Sequence, residues 1–176
     1  MRYLFTSDQH FWHKNIINYC NRPFTSLEEM HSYMIQKWNE KVKDDDVVVI
    51  IGDFCLSQSK EAPNTPNNPS PNLLSQLKGT KILIKGSHDT NNRVKAIIES
   101  MVISYGGYKI FITHDPKYAK EYYKINLCGH LHDKWKFQKL GKDSIIVNMS
   151  VEQWNYTPIE INEILKSISK WKKHEQ

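Results

Sequence analysis

The chain has 176 residues, in which 24 lysine and arginine residues against 19 aspartate and glutamate residues give a formal net charge of +5. Hydrophobic residues make up only 39%, and no run approaches the ~20 apolar residues of a membrane-spanning helix, so no membrane association is expected. The excess of basic over acidic residues suits binding of an anionic substrate or a nucleic acid and does not distinguish between the two. The length favours a single domain that spans residues 1–176.

The three cysteines, Cys20, Cys55 and Cys128, have neither a pairing pattern nor Cys-x-x-Cys spacing. We therefore expect no disulfide scaffold and no structural zinc site, which fits a reducing cytoplasm. The first residues lack the long apolar stretch and cleavage site of a signal peptide, which also favours a cytoplasmic location. In contrast to the cysteines, the eight histidines are many for this length.

The first half of the chain alternates β-rich runs with amphipathic segments. Strands are predicted at 3–7, 47–51 and 81–85. Helices are predicted at 26–41 and 93–100, and residues 73–78 look like the end of a short helix. Thr25 and Glu28 form a capping-box pattern at the start of the helix predicted at 26–41. Residues 61–72 hold four prolines and four asparagines, which predicts a long loop that acts as a lid or is an insertion.

The second half is richer in strands and ends in an amphipathic helix. Strands are predicted at 101–105, 108–113, 124–128, 135–140 and 144–149, and the helix at 162–173. Gly106 and Gly107 form a hairpin turn signal between the first two strands. The pattern predicts an α/β fold with either one large mixed sheet or two packed sheets.

Acidic or imidazole side chains follow five of these predicted strands. In chain order they are Asp8 and His10, then Asp53, then His88 and Asp89, then His114 and Asp115, and finally His130 and His132. The carboxyl ends of strands in α/β sheets are where ligands bind. One histidine alone is more often a core or solvent-exposed side chain, but five equivalent positions make coincidence the weaker interpretation.

The spacing of these residues favours metal binding. Asp-x-His and His-x-His on extended backbone would place both side chains on one face. Mixed carboxylate and imidazole ligands suit manganese, iron, zinc or nickel better than magnesium or calcium, and we expect manganese first. The set is larger than one tetrahedral ion needs. Two metal ions ~3.5–4 Å apart, an arrangement typical of phosphoester hydrolysis, would use it fully.

The order of the motifs resembles that of a known superfamily. The segments Asp8-Gln9-His10, Gly52-Asp53, Gly86-Ser87-His88-Asp89, His114 and Gly129-His130-Leu131-His132 are similar in order and spacing to the motifs of the calcineurin-like metallophosphoesterases. Residues 5–17 look like the opening of the small bacterial and phage members. The resemblance implies a double β-sandwich flanked by helices, a four-layer α/β/β/α fold, with two metal ions at its edge.

The resemblance also implies a role for each matching residue. The first metal would be held by Asp8, His10 and His132, and Asp53 would bridge both metals. The second metal would take position 87, His114 and His130. A hydroxide between the metals would attack phosphorus in line, while His88 donates a proton to the leaving oxygen. Asp89 would orient His88.

Position 87 departs from the family pattern, because Ser87 stands where the family has asparagine. A hydroxyl is a poorer neutral ligand than an amide oxygen, which leaves a weakly bound second metal, a water in place of the ligand, or an empty site. We expect weakened but real two-metal binding and a reduced activity. The sequence leaves open whether the serine is natural, attenuating or engineered.

Three further residues are candidates for substrate binding. His13 and Asn15 follow the first ligand pair, where they would contact phosphate, although a surface helix start explains them equally well. Arg22 could bind a substrate anion, but a structural role in a turn is the simpler interpretation.

Three functions remain open from the sequence. The first is a metal-dependent phosphodiesterase or phosphomonoesterase that acts on a small phosphorylated substrate, for example a nucleotide or cyclic nucleotide. The second is an HD-type phosphohydrolase, which the strand signals before His88 and His114 disfavour. The third is a basic protein that binds phosphate or nucleic acid with little catalysis, although the chain has no recognised nucleic-acid motif. The sequence leaves the oligomeric state open.

Overall fold

The computed structural model describes residues 1–56, 69–89 and 96–174. Within these ranges the strands are β1 (Tyr3–Thr6), β2 (Val47–Ile51), β3 (Thr80–Ile84), β4 (Ser100–Tyr105), β5 (Tyr108–Thr113), β6 (Ile125–Cys128), β7 (Phe137–Leu140), β8 (Ser144–Asn148) and β9 (Ile159–Glu160). The helices are α1 (Ile16–Tyr19), α2 (Leu27–Lys41), α3 (Pro69–Gln76) and α4 (Ile161–His174). Two 3-10 helices lie at Pro116–Tyr118 and Val151–Trp154.

The strands form two sheets, which decides between the two architectures left open by the sequence. The first sheet has the order β3-β2-β1-β9, with β1, β2 and β3 parallel and β9 antiparallel. The second has the order β4-β5-β6-β8-β7, in which β5, β6 and β8 are parallel and the two edge strands are antiparallel. The predicted mixed α/β fold with two sheets flanked by helices is confirmed.

The first sheet is buried on both faces, because its strands separate two apolar clusters. Leu4, Val48 and Ile50 pack with residues of α1, α2 and α3 on one face. Phe5 and Val49, which point the opposite way along the strands, pack against the second sheet. Burial on both faces explains why β2 is a continuous apolar run rather than an alternating one.

α2 begins one residue later than the predicted capping box requires. Ser26 is the N-cap, and its hydroxyl accepts a hydrogen bond from the Glu29 backbone N–H at 3.1 Å. The Glu29 carboxylate in turn accepts from the Thr25 N–H and hydroxyl, both at 2.7 Å. The capping pair is therefore Ser26 and Glu29, and the predicted pair of Thr25 and Glu28 was wrong by one position.

The prediction of a helix at 93–100 was wrong where the structure can be compared with it. Residues 93–95 lie outside the described ranges, but Ile98 forms a parallel bridge with Ile84 and Ser100 already begins β4. Backbone pairing with β3 thus prevails over the weak helical pattern. Of the predicted loop 61–72, residues 61–68 lie outside the described ranges, and α3 begins at Pro69, where proline is favoured in a first helical turn.

α4 closes the core between the two sheets at the end where several strands of the second sheet begin. Ile161, Ile164 and Ile168 are buried in the cluster that both sheets share. Trp171 stacks on Phe137 of β7, with ring centroids 5.6 Å apart. No helix in the described ranges has the length and apolar character needed to cross a membrane.

The carboxyl ends of the parallel strands from both sheets meet at the other end of the strands, away from α4. Ser7, directly after β1, forms a parallel bridge with Ser150, which follows β8, so the two sheets are joined there. The segments that leave β1, β2, β3, β5 and β6 therefore converge on one region, as their shared position after a strand predicts.

Candidate metal centre

Two groups of three side chains at this edge have the geometry of metal sites. Asp8, His10 and His132 form the first group, and Asp53, His114 and His130 form the second. Within each group the ligand atoms all lie within 4.8 Å of one another. The six residues come from four strand ends of two sheets, which only the folded chain brings together.

Asp53 lies between the two groups. Its Oδ2 is 3.2 Å from Nε2 of His114 in its own group and 3.6 Å from Nε2 of His10 in the other. Its Oδ1 accepts a hydrogen bond from the backbone N–H of His88 at 2.8 Å. One carboxylate oxygen is thus held by the backbone, and the other is directed at both groups.

The ligand side chains are aimed by an unusual backbone. The φ angles are 60° at Asp8, 52° at His10, 51° at Asp53, 73° at His130 and 44° at His132. This left-handed conformation costs roughly 1–2 kcal/mol for a residue with a side chain and clusters at functional sites. The extended backbone expected for the Asp-x-His and His-x-His pairs was wrong. Asp8 and His10 belong to one group, whereas His130 and His132 belong to different groups.

Two glycines allow the ligand segments to approach closely. A Cβ atom at Gly86 would collide with the backbone nitrogen and carboxylate of Asp53, and one at Gly129 would collide with Ser7 and the Asp8 carboxylate. Any larger residue at either position would displace the carboxylate beside it. The glycines of the Gly-Ser-His-Asp and Gly-His-x-His segments therefore serve packing around Asp53 and Asp8.

Hydrogen bonds fix the orientation of two histidine ligands. Nδ1 of His114 lies 2.8 Å from the carbonyl oxygen of Ile51, and Nδ1 of His132 lies 3.0 Å from Oε1 of Glu152. In both cases Nδ1–H donates to the oxygen, which directs Nε2 towards its metal-binding group. A carbonyl or carboxylate behind the ring is the usual partner of a metal-binding histidine.

Two buried nitrogens at the centre of the site lack a hydrogen-bond partner. They are Nε2 of His10 and Nε2 of His114, and each faces Asp53. A buried polar atom without a partner carries a desolvation penalty of about 1–3 kcal/mol. A metal ion would satisfy both nitrogens, and the mixed nitrogen and oxygen donors suit a borderline divalent ion. The residues present therefore fit the metals that the sequence predicts, and the geometry leaves the identity of the ions open.

The site perturbs the pKa values of its own histidines. Burial lowers the pKa of His114, but the Asp53 and Asp8 carboxylates outweigh this and raise it to about 9. For His132, burial is likewise outweighed by the Cys20 side chain and the Glu152 carboxylate, which raise the pKa to about 10. His10 behaves in the opposite way, since burial holds its pKa well below the ordinary value.

The Gly-Ser-His-Asp segment surrounds Asp53. The Ser87 hydroxyl donates to Oδ2 of Asp53 at 3.0 Å, which places Ser87 at the second group. The exposed His88 ring lies 5.1 Å from the ring of His10, measured between centroids. Asp89 is buried, and its carboxylate accepts from the backbone N–H groups of Asp53 and Gly86, both at 2.8 Å. These contacts make Asp89 an anchor for the Asp53 loop.

The three predicted substrate-binding residues have different surroundings. His13 is half-buried beside the first group, with its Nδ1 3.1 Å from Nδ1 of His10. Asn15 is exposed at the N-cap of α1. Arg22 does not fit the prediction, because its side chain is fully buried and donates to Glu152 and to the carbonyl oxygens of Asp8 and Gln9. We therefore assign Arg22 to positioning the Asp8 segment.

Several residues at the site were not found from the sequence. The Ser150 hydroxyl donates to Oδ2 of Asp8 at 2.8 Å, and Glu152 binds both His132 and Arg22. Both come shortly after β8, so the search for acidic side chains after a strand would have found Glu152 but not Ser150. Cys20 forms a third group with His132 and Glu152. No motif in the sequence indicates that contact.

A cleft of about 560 Å³ opens beside the second group. Its lining includes His114, His130 and Ser87 from the metal centre. Lys85, Lys117 and Lys120 also line it, together with Phe111 and Tyr118. Lys117 is paired with Asp115 at 2.6 Å. The cleft thus combines basic and aromatic side chains next to the candidate metal ligands.

Comparison with known proteins found a relative that matches nearly the whole chain. The uncharacterized protein MJ1445 of Methanocaldococcus jannaschii is 38% identical over 172 residues, which cover 94% of this chain and 90% of MJ1445. The chain belongs to the same family as MJ1445. No protein-family model matches the chain.

Solved structures share the fold. A protein of unknown function from Aquifex aeolicus, AQ665, superposes with a TM-score of 0.70 at 23% identity, covering 94% of this chain and 98% of AQ665. A structure described as a novel archaeal phosphodiesterase matches with a TM-score of 0.50 at 17% identity, covering 92% and 99%. The fold is therefore one that a phosphodiesterase uses, in agreement with the metallophosphoesterase resemblance.

Proposed function

We propose that this protein is a metal-dependent phosphoesterase that hydrolyses a phosphodiester or phosphomonoester at a dinuclear centre. The observation that carries the proposal is the position of Asp53, whose Oδ2 faces the unpartnered Nε2 atoms of both His10 and His114. A carboxylate is the side chain that can bridge two cations and offset part of their charge.

In this proposal Asp8, His10 and His132 hold one divalent ion, Asp53 is shared, and His114 and His130 hold the second. Manganese is the first choice for both ions, with iron, zinc and nickel as alternatives. Two such ions supply a water of lowered pKa as nucleophile and positive charge that stabilises the phosphoryl oxygens in the transition state.

The protein's own residues contribute orientation and proton transfer. The Ser87 hydroxyl donates to Oδ2 of Asp53, and Ser87 would join Asp53, His114 and His130 in holding the second ion, in place of the family's asparagine. His88 is exposed next to His10, where a protonated ring could donate to the leaving oxygen, a role worth about 10²–10⁴-fold in rate. Asp89 helps to position Ser87 and His88, because its carboxylate accepts hydrogen bonds from the backbone N–H groups of Asp53 and Gly86.

The cleft beside His114 and His130 supports a small substrate with a substituent beyond the scissile phosphate. Lys85 and Lys120 supply positive charge, and Phe111 and Tyr118 supply aromatic surface. A nucleotide or cyclic nucleotide carries both an anionic and an aromatic group and matches this lining. His13 and Asn15 remain proposed phosphate contacts on the other side of the centre.

The direct test is hydrolysis of bis-p-nitrophenyl phosphate by the manganese-loaded protein, followed by a panel of nucleotides and cyclic nucleotides. Asp53→Asn should abolish turnover, because an amide cannot supply a second anionic oxygen to two cations. Asp45→Asn is the matched control, since Asp45 lies on the surface and pairs with the N-terminal amine. Turnover that survives Asp53→Asn would contradict the proposal.

A second candidate is a phosphate-binding or nucleic-acid-binding protein with weak catalysis. It is favoured by the serine at position 87 and by the net charge of +5. Salt-dependent oligonucleotide binding without hydrolysis in saturating manganese would favour this candidate over the enzyme.

A further inference from the structure

Cys20, His132 and Glu152 form a third group of metal-binding type, next to the first one. Their ligand atoms lie within 4.8 Å of one another. The three residues come from separate segments, since Cys20 directly follows α1, His132 follows β6 and Glu152 lies in the 3-10 helix Val151–Trp154. Cys20 is buried, and the Glu152 side chain is 7% exposed.

Glu152 has one carboxylate oxygen that accepts no hydrogen bond from the described residues. Oε1 accepts from Arg22 at 2.7 and 2.9 Å and from Nδ1 of His132 at 3.0 Å. Oε2 is buried and has no hydrogen-bond partner. A buried carboxylate oxygen without a donor is costly, which indicates that a ligand can satisfy it.

The donor set selects a particular class of ion. A thiolate, an imidazole and a carboxylate form a site for zinc and softer divalent ions, because a thiolate is a soft ligand that manganese and magnesium bind poorly. The two anionic ligands would offset the charge of a dication, which matters because the Arg22 guanidinium lies on the other side of Glu152.

We propose that Cys20, His132 and Glu152 bind a thiophilic divalent cation such as Zn²⁺, in competition with the first ion of the candidate metal centre. Competition follows because a neutral imidazole has one lone pair. When Nδ1 of His132 donates to Glu152, Nε2 is free for the group of Asp8 and His10. When Nδ1 binds the thiophilic ion, the proton resides on Nε2. The competitive part rests on the proposed function, whereas the thiophilic site itself does not.

The test is a Cd²⁺ titration of the manganese-loaded protein, monitored by the sulfur-to-cadmium charge-transfer absorbance in the ultraviolet. We expect a band that saturates at one equivalent and is removed by excess Zn²⁺. Cys20→Ser should abolish the band. Cys55→Ser and Cys128→Ser are matched controls, since both cysteines are also buried but belong to neither this group nor the other two. Both variants should keep the band.

A wild-type protein without the band, or a band that persists in Cys20→Ser, would overturn the proposal. Circular dichroism establishes that the variant is folded. If Cys20→Ser does not fold, Glu152→Gln takes its place and should weaken Cd²⁺ binding at least about tenfold, and unchanged binding would overturn the site. Release of Mn²⁺, followed by its electron paramagnetic resonance signal, reports the competition separately. The charge-transfer band needs no turnover, so a failed phosphoesterase assay leaves this test intact.

Discussion

Nε2 of His114 lies 3.2 Å from Oδ2 of Asp53, and both side chains are buried. Without a metal, the carboxylates of Asp53 and Asp8 raise the pKa of His114 to about 9 despite burial, so its ring carries a proton at neutral pH. That proton occupies the ring nitrogen that a metal would bind. Metal binding and deprotonation of His114 are therefore coupled.

This coupling predicts proton release when manganese binds. His132 should contribute a second proton, because the Cys20 side chain and Glu152 outweigh burial and raise its pKa to about 10. Both rings must be neutral to bind metal, so affinity should rise with pH until these pKa values are passed. Calorimetry near pH 7.5 in buffers of different ionisation enthalpy measures the release. Binding without proton uptake by the buffer would contradict the assignment of His114 and His132 as ligands.

Replacement of Ser87 by asparagine should strengthen the second metal site. Ser87 touches Oδ2 of Asp53, and an amide oxygen is the better neutral ligand. We expect Ser87→Asn to increase manganese affinity and kcat/KM together. Ser87→Ala, which removes the hydroxyl and adds no ligand, is the control and should lower both. Equal affinity and activity in all three proteins would show that position 87 is not a ligand.

Arg22 should matter for stability rather than for substrate affinity. Its guanidinium is buried against Glu152 and the carbonyl oxygens of Asp8 and Gln9. Arg22→Met would leave Glu152 with His132 as its remaining partner and would remove the donor from the carbonyl oxygens of Asp8 and Gln9. The loss costs about 1–3 kcal/mol in unfolding free energy for each buried acceptor left without a donor. Urea denaturation measures this loss. Near-normal stability with a selectively raised KM would instead support the original substrate-binding prediction.

His31 predicts an acid-sensitive contribution to stability. Burial lowers its pKa to about 4 from an ordinary value of 6.5, and its Nε2 lies 3.0 Å from the Trp12 backbone nitrogen, which donates to it. Between these pH values the unfolded chain binds the proton that the folded chain excludes. His31 therefore destabilises the fold as pH falls from 6.5 towards 4, by about 3 kcal/mol in total.

His31→Gln keeps an acceptor for the Trp12 N–H and removes the titration. The variant should lose less unfolding free energy than the wild type between pH 6.5 and 4, measured by urea denaturation at several pH values. Identical pH dependence in the two proteins would show that His31 does not exclude its proton.

The sequence predicts the strand ends well and their local geometry poorly. Asp8, Asp53 and His114 were found because each follows a strong apolar run, and parallel strands bring their carboxyl ends to one edge. The left-handed backbone at Asp8 and His10 could not be predicted, because aspartate and histidine, although enriched in this conformation, adopt it at only a small fraction of positions.

Contacts between distant segments were also beyond the sequence. Arg22 meets Glu152 across 130 positions of the chain, and only the joining of the two sheets creates that pair. The helix predicted at 93–100 failed for a related reason, because pairing of Ile98 with Ile84 is a tertiary interaction that overrides weak local propensity.

The central claim is that Asp53 joins two metal sites that act together on a phosphoester. The most direct measurement is the number of Mn²⁺ ions bound per chain, determined alongside hydrolysis of bis-p-nitrophenyl phosphate as manganese is added. The account predicts two ions per wild-type chain, with turnover that rises only as the second ion binds, and loss of both the second ion and turnover in Asp53→Asn. Turnover that is complete with one ion, or two bound ions without any hydrolysis, would contradict it.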